Sequence, residues 1–139
     1  MTRTIVLLAG LLLAATITPQ AARAQTTCPP DGQGSRAIVE RFLARPGFGP
    51  DRAQLSLAGA TMSNVRVLTD ASDATACQSL STAVGATSAG PNWRVTFYRV
   101  GNYYFVAFRR SETANTRWLG FVPLYIFDTA FNQVNGLTM

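Results

Sequence analysis

The chain contains neither histidine nor lysine. That excludes His-dependent triads, histidine-ligated zinc sites, Ser-Lys dyads and Schiff-base chemistry, because each needs one of those side chains to hold a proton, a metal or a carbonyl carbon. All 12 basic residues are therefore arginines. Every cation is a planar guanidinium suited to carboxylate or phosphate, and none acts as a base near neutral pH. Acids are also few, at seven. A carboxylate pair for glycoside hydrolysis is sought among Glu40, Asp51, Asp70, Asp73, Glu112 and Asp128. Asp70 and Asp73 read as helix-start residues, and nothing in the pattern brings two of the others together. No glycine-rich phosphate loop follows a strand and no calcium-loop spacing occurs. The sequence calls for no cofactor and no metal, and it reads as non-catalytic.

Long hydrophobic runs are scarce as well. The run Ile5 to Ile17 falls short of the roughly 20 apolar residues a bilayer span needs. It follows Arg3, is broken by Pro19 and Gln20, and leads to Ala22-Arg23-Ala24, the small-x-small pattern of a signal-peptidase site. These features predict a cleavable secretory signal peptide over residues 1–24, with no stable membrane anchor after cleavage. Thr27 stands where a lipoprotein signal has Gly, Ala or Ser before the cysteine. Residues 25–139 then form a single small domain, enough for one hydrophobic core. It keeps ten arginines, all but Arg3 and Arg23, against seven acids, a net charge of +3.

Only two cysteines occur, Cys28 and Cys77. In an exported protein a disulfide between them is expected. The closed loop would lower the entropy of the unfolded chain by an amount worth about 4 kcal/mol.

Gln25 to Gly34 is rich in turn formers and reads as an arm pinned by Cys28. Ile38, Val39, Phe42 and Leu43 recur at helical spacing after Ser35, a candidate cap, and Pro46-Gly47 stops that helix. Phe48 to Ala60 reads as a connector with a helical hint at 51–57. Val65 to Leu68 is a strand candidate. Asp70 then looks like the cap of a second helix, whose buried side would carry Ala71, Ala74, Cys77, Leu80, Ala83 and Val84. The strongest local signal is Trp93–Val100, Gly101-Asn102, Tyr103–Arg110: two aromatic, β-branched runs joined by a two-residue turn. Trp118 to Phe127 reads as a further strand with Pro123 at an edge or bulge. Phe131 to Leu137 reads as a short return. The expected fold is α+β: two short helices on one face of a three- to four-stranded antiparallel meander, in the order α-β-α-β-β-β(-β), with one disulfide.

A two-residue turn sets Arg94 opposite Arg109, Thr96 opposite Ala107, Tyr98 opposite Phe105 and Val100 opposite Tyr103, all on one face. The other face, with Val95, Phe97, Val106 and Phe108, has the more apolar centre and is expected to lie under the helices. That leaves Arg94, Tyr98, Tyr103, Phe105 and Arg109 as a candidate ligand-binding face, an aromatic platform with an anion clamp. The expected function is a non-catalytic binding or interaction domain in the periplasm or outside a bacterial cell. Its partner would be an anionic envelope ligand or another exported protein, and not nucleic acid. The alternatives are an accessory subunit or inhibitor acting through Ser111–Arg117 or Phe48–Ala60, and a small carboxylate-dependent hydrolase. Helices followed by a meander resemble the cystatin-type fold, a likeness of layout that does not fix function. Gln133-Val134-Asn135-Gly136 is similar to the cystatin Q-x-V-x-G loop, but it is one residue short and stands at the chain end, so it carries no assignment.

Overall fold

The computed structural model describes residues 27–85, 93–110 and 122–139. The expected signal peptide, the loop Ser111–Arg117 and the start of the strand expected from Trp118 lie outside them. Three helices, α1 (Gln33–Ala44), α2 (Gly49–Gln54) and α3 (Asp70–Val84), join five strands. These are β1 (Val65–Val67), β2 (Trp93–Val100), β3 (Tyr103–Arg110), β4 (Leu124–Phe127) and β5 (Gln133–Leu137). The sheet runs β1-β2-β3-β4-β5 with every pair antiparallel. The α+β class and the meander are as expected. The sheet gains a fifth strand because β1 pairs with the hairpin, Val65 opposite Val100, and the helical hint in the connector becomes α2.

The hairpin has the register that its two-residue turn dictates, from Val100↔Tyr103 to Trp93↔Arg110. Gly101 takes φ 59° at the first turn position, where a side chain would be strained and would press on Leu57. Pro123 lies just before β4, where it need not donate, and its carbonyl accepts the Phe108 amide at 2.7 Å.

The helices lie on both faces of the sheet rather than on one. Val39, Phe42 and Leu43 of α1, with Leu55 and Leu57, pack on Tyr98, Val100, Phe105, Ala107, Leu124 and Ile126. Cys77, Leu80 and Val84 of α3, with Cys28 and Leu68, pack on Phe97, Val106, Phe108 and Phe127. The middle of β2 and β3 is thus buried on both sides, which is why their apolar residues run on instead of alternating with polar ones. Of the small residues expected on the buried side of α3, Ala71, Ala74 and Ala83 are exposed. No helix among the described residues is long and apolar enough to cross a membrane.

Local chemistry closes the elements. The N-cap of α1 is Gly32, not Ser35; Ser35 is buried and its hydroxyl donates to the Ala107 carbonyl at 3.0 Å. At the other end of α1, Arg52 donates to the Phe42 and Arg45 carbonyls at 2.7 Å each, satisfying acceptors the helix leaves open. α2 ends in a Schellman turn: Ser56 sits at φ 58°, its amide reaches the Ala53 carbonyl, and the Leu57 amide reaches that of Arg52. Thr69, not Asp70, caps α3. Asp73 bends the first turn, its carboxylate accepting the Thr69 amide and a two-pronged bond from Arg66 at 2.7 and 3.1 Å. The Arg66 hydrogen bonds, against a smaller opposing effect of burial, hold the Asp73 carboxyl down at about 2.

Candidate functional site

An arm, residues 27–32, links the two faces. Cys28 and Cys77 form the expected disulfide, with Cα atoms 5.2 Å apart. Asp70 accepts the Thr27 and Cys28 amides at 2.8 and 2.7 Å. Further along, the Thr96 hydroxyl donates to the Pro30 carbonyl at 3.1 Å, and the Tyr98 hydroxyl donates to Asp31 at 2.8 Å. Arg36, one turn into α1, bonds the same carboxylate at 2.6 Å. Burial alone would raise the Asp31 carboxyl; the hydrogen bonds from Arg36 and Tyr98 outweigh it and bring the group below its usual range. Burial, then the neighbouring Asp31, push the Tyr98 phenol well up, so it stays a neutral donor.

These contacts decide the fate of the expected aromatic platform. Tyr98 and Phe105 are fully buried under α1, Phe105 meeting the edge of Phe42 at 5.5 Å. Tyr103 is half-buried and packs against the same core. None of the three forms an open platform. The reason is that both faces of the hairpin are apolar at the centre, and the arm supplies acceptors for the Thr96 and Tyr98 hydroxyls that would otherwise argue for solvent.

The two arginines do come together at the open end of the hairpin, Arg94 opposite Arg109. Arg94 is exposed and bonds the Trp93 carbonyl at 3.2 Å. Arg109 lies against the start of α1. A Cβ at Gly34 would come within 3.2 Å of its Cδ, and one at Gly32 would collide with its Nε. Glycine at 32 leaves room for the guanidinium where it lies, and at 34 a side chain would press on the stem and have to displace it slightly. The Arg109 Nε is buried and has no hydrogen-bond partner. Beside it the first turn of α1 has neither a side-chain cap nor an acid. The Arg109 side chain and the positive end of a helix therefore meet at one corner, with Arg94 the strand neighbour of Arg109. Asp31, the acid nearest in sequence, is already held by Arg36 and Tyr98.

Four of the carboxylates considered for a hydrolase have structural duties, and Glu112 lies outside the described residues. Asp70 and Asp73 hold the arm and the start of α3. Asp51 accepts from Asn135 at 3.2 Å, and Asp128 accepts the Ala130 and Asn132 amides of its own turn. Among the described residues no group of three His, Cys, Asp or Glu could hold a metal. The residues Gln133–Leu137, similar in letters to the cystatin loop, form strand β5.

Sequence reasoning missed the glycine pocket for Arg109. The signal was present as Gly32-Gln33-Gly34 just before an amphipathic run, but nothing in it names the residue that fills the space. Neither a family model, nor a curated protein, nor a solved structure matches this chain.

Proposed function

We propose that this is an exported, non-catalytic binding domain that takes an anionic group at the corner formed by Arg94, Arg109 and the first turn of α1. The observation that carries the reading is the Arg109 Nε, buried without a partner beside an uncapped helix start. A guanidinium there is unfavourable alone and favourable once an oxyanion bridges it to the free amides. Export is supported by the leader-like residues 1–24 and by the disulfide, which belongs to an oxidising compartment.

Thermal unfolding of the purified protein with inorganic phosphate, small carboxylates and acidic peptides tests it. A ligand at about 100 times its Kd should stabilise by about 2.7 kcal/mol, several degrees for a domain of this size. The shift should shrink with added salt and vanish in Arg109→Ala. A shift that survives Arg109→Ala together with Arg94→Ala would remove the corner as the site.

A second reading, an accessory subunit or inhibitor acting through the connector, is favoured by one observation. An open cleft of about 600 Å³ lies over Ser56–Ala60, Asn64 and Gly101. A partner protein that co-purifies with the Arg94/Arg109 double variant would favour it.

A further inference from the structure

Phe131 stands at φ 64°, a left-handed conformation that bulky residues rarely adopt. The turn that holds it does not depend on the ring. The Asp128 carboxylate accepts the Ala130 and Asn132 amides at 2.9 Å each, and the Phe131 amide reaches the Asp128 carbonyl at 3.0 Å. Glycine would fit this position without strain. The phenyl ring instead stacks on Tyr104, centroids 5.3 Å apart and planes within 12°, while the Arg99 guanidinium lies 4.9 Å from the Tyr104 centroid. The strain at Phe131 thus holds a flat ring at a defined place on the surface of the second core.

That ring forms one wall of an open cleft of about 500 Å³ whose other walls are Thr75, Gln78, Ser79, Thr82 and Ala83. These residues share one face of α3, at the three- and four-residue steps of a helix. Among the described residues no charged side chain lines the cleft. An anion would find no cation there. The Thr82 hydroxyl donates to the Gln78 carbonyl at 3.1 Å, but a hydrocarbon would offer nothing to the Ser79 hydroxyl or the Gln78 amide. A molecule with a C–H face for the ring and neutral hydroxyls for Ser, Thr and Gln satisfies both.

We propose that the cleft between Phe131 and the outer face of α3 binds a neutral saccharide. The phenyl ring takes the C–H face of a pyranose, and Gln78, Ser79 and Thr82 exchange hydrogen bonds with its hydroxyls. This goes beyond the anion corner and does not depend on it.

Titration of ¹⁵N-labelled protein with chitotriose, cellotriose and maltotriose tests the proposal. At least one should move the amides of Thr75–Ala83 and Phe131–Asn132, with a Kd of about 1 mM. Phe131→Gly, whose backbone fits the turn, should keep the dispersed spectrum and weaken binding about tenfold or more. Gln78→Ala with Ser79→Ala, on the helix surface, should weaken it without touching the turn. The Arg94→Ala, Arg109→Ala variant should bind as before. The proposal fails if no amide of the cleft moves at about 10 mM of any of the three sugars. It also fails if both cleft variants bind like the parent, or if binding disappears with the two arginines.

Discussion

The two faces of the sheet are covered in different ways. α1 brings Val39, Phe42 and Leu43 to its face and is tied to the sheet by Ser35 and the Arg36–Asp31–Tyr98 chain of hydrogen bonds. α3 has three buried residues, Cys77, Leu80 and Val84, among alanines, serines and threonines. It is tied down by a covalent bond and by the Asp70 grip on the arm. A helix rich in large apolar side chains holds by packing. One built of small residues gains much of its attachment from a disulfide, and its outer face stays free to offer hydroxyls.

The sharpest way to break the comparison is at Phe42, which is fully buried on the α1 side. Phe42→Ala should lower the unfolding free energy by about 3–5 kcal/mol, read from the midpoint of urea denaturation, because it removes buried area and leaves a cavity. Next comes the bridge. Cys28→Ser with Cys77→Ser should cost about 2–4 kcal/mol. Hydrogen exchange should show the loss concentrated in α3, with the β2–β3 amides less affected. If α1 opened first, the division of labour drawn above would be mistaken.

The smallest effect is electrostatic and separates the two faces by pH. Asp73 titrates at about 2 in the folded chain against an ordinary 3.8, and Asp31 is also lowered. A depressed carboxyl gives stability that is fully present above the ordinary value and is lost as pH falls through the folded one. Unfolding free energy should therefore be flat above about pH 4 in these two groups and decline toward pH 2. Asp73→Asn should cost about 1 kcal/mol at neutral pH, the size of a lost cap, and flatten the α3 share of that decline. A decline of unchanged steepness would place the acid sensitivity at Asp31 and the arm.

Those elements differ in how far they could be read beforehand. The hairpin was legible to the residue because a two-residue turn with glycine leaves one register. The disulfide was legible because two cysteines allow one pairing. The placement of the helices was not. Tyr98 and Phe105 face the same way as Arg94 and Arg109, and the charged end of that stripe outweighed its apolar middle. Its burial depends on Pro30 and Asp31, an arm of turn formers whose acceptors are visible only once it is folded back. Asp70 and Asp73 were placed correctly at the start of α3, yet their partners, the Cys28 amide and Arg66, come from other elements. Of the candidate site, the Arg94/Arg109 pairing followed from register, whereas the Gly32–Gly34 pocket depends on which strand end meets which helix start. Phe131 gave no hint, since a phenylalanine in a left-handed turn contradicts local preference.

The bridge has a topological consequence. The segment it closes, from Cys28 to Cys77, contains α1 on one face, β1 at the edge and the first half of α3 on the other face. It is a clasp around one border of the sheet. With the bridge closed, the residues on the two faces are held together along the edge where β1 lies, so α1 and the start of α3 cannot part from their opposite faces independently.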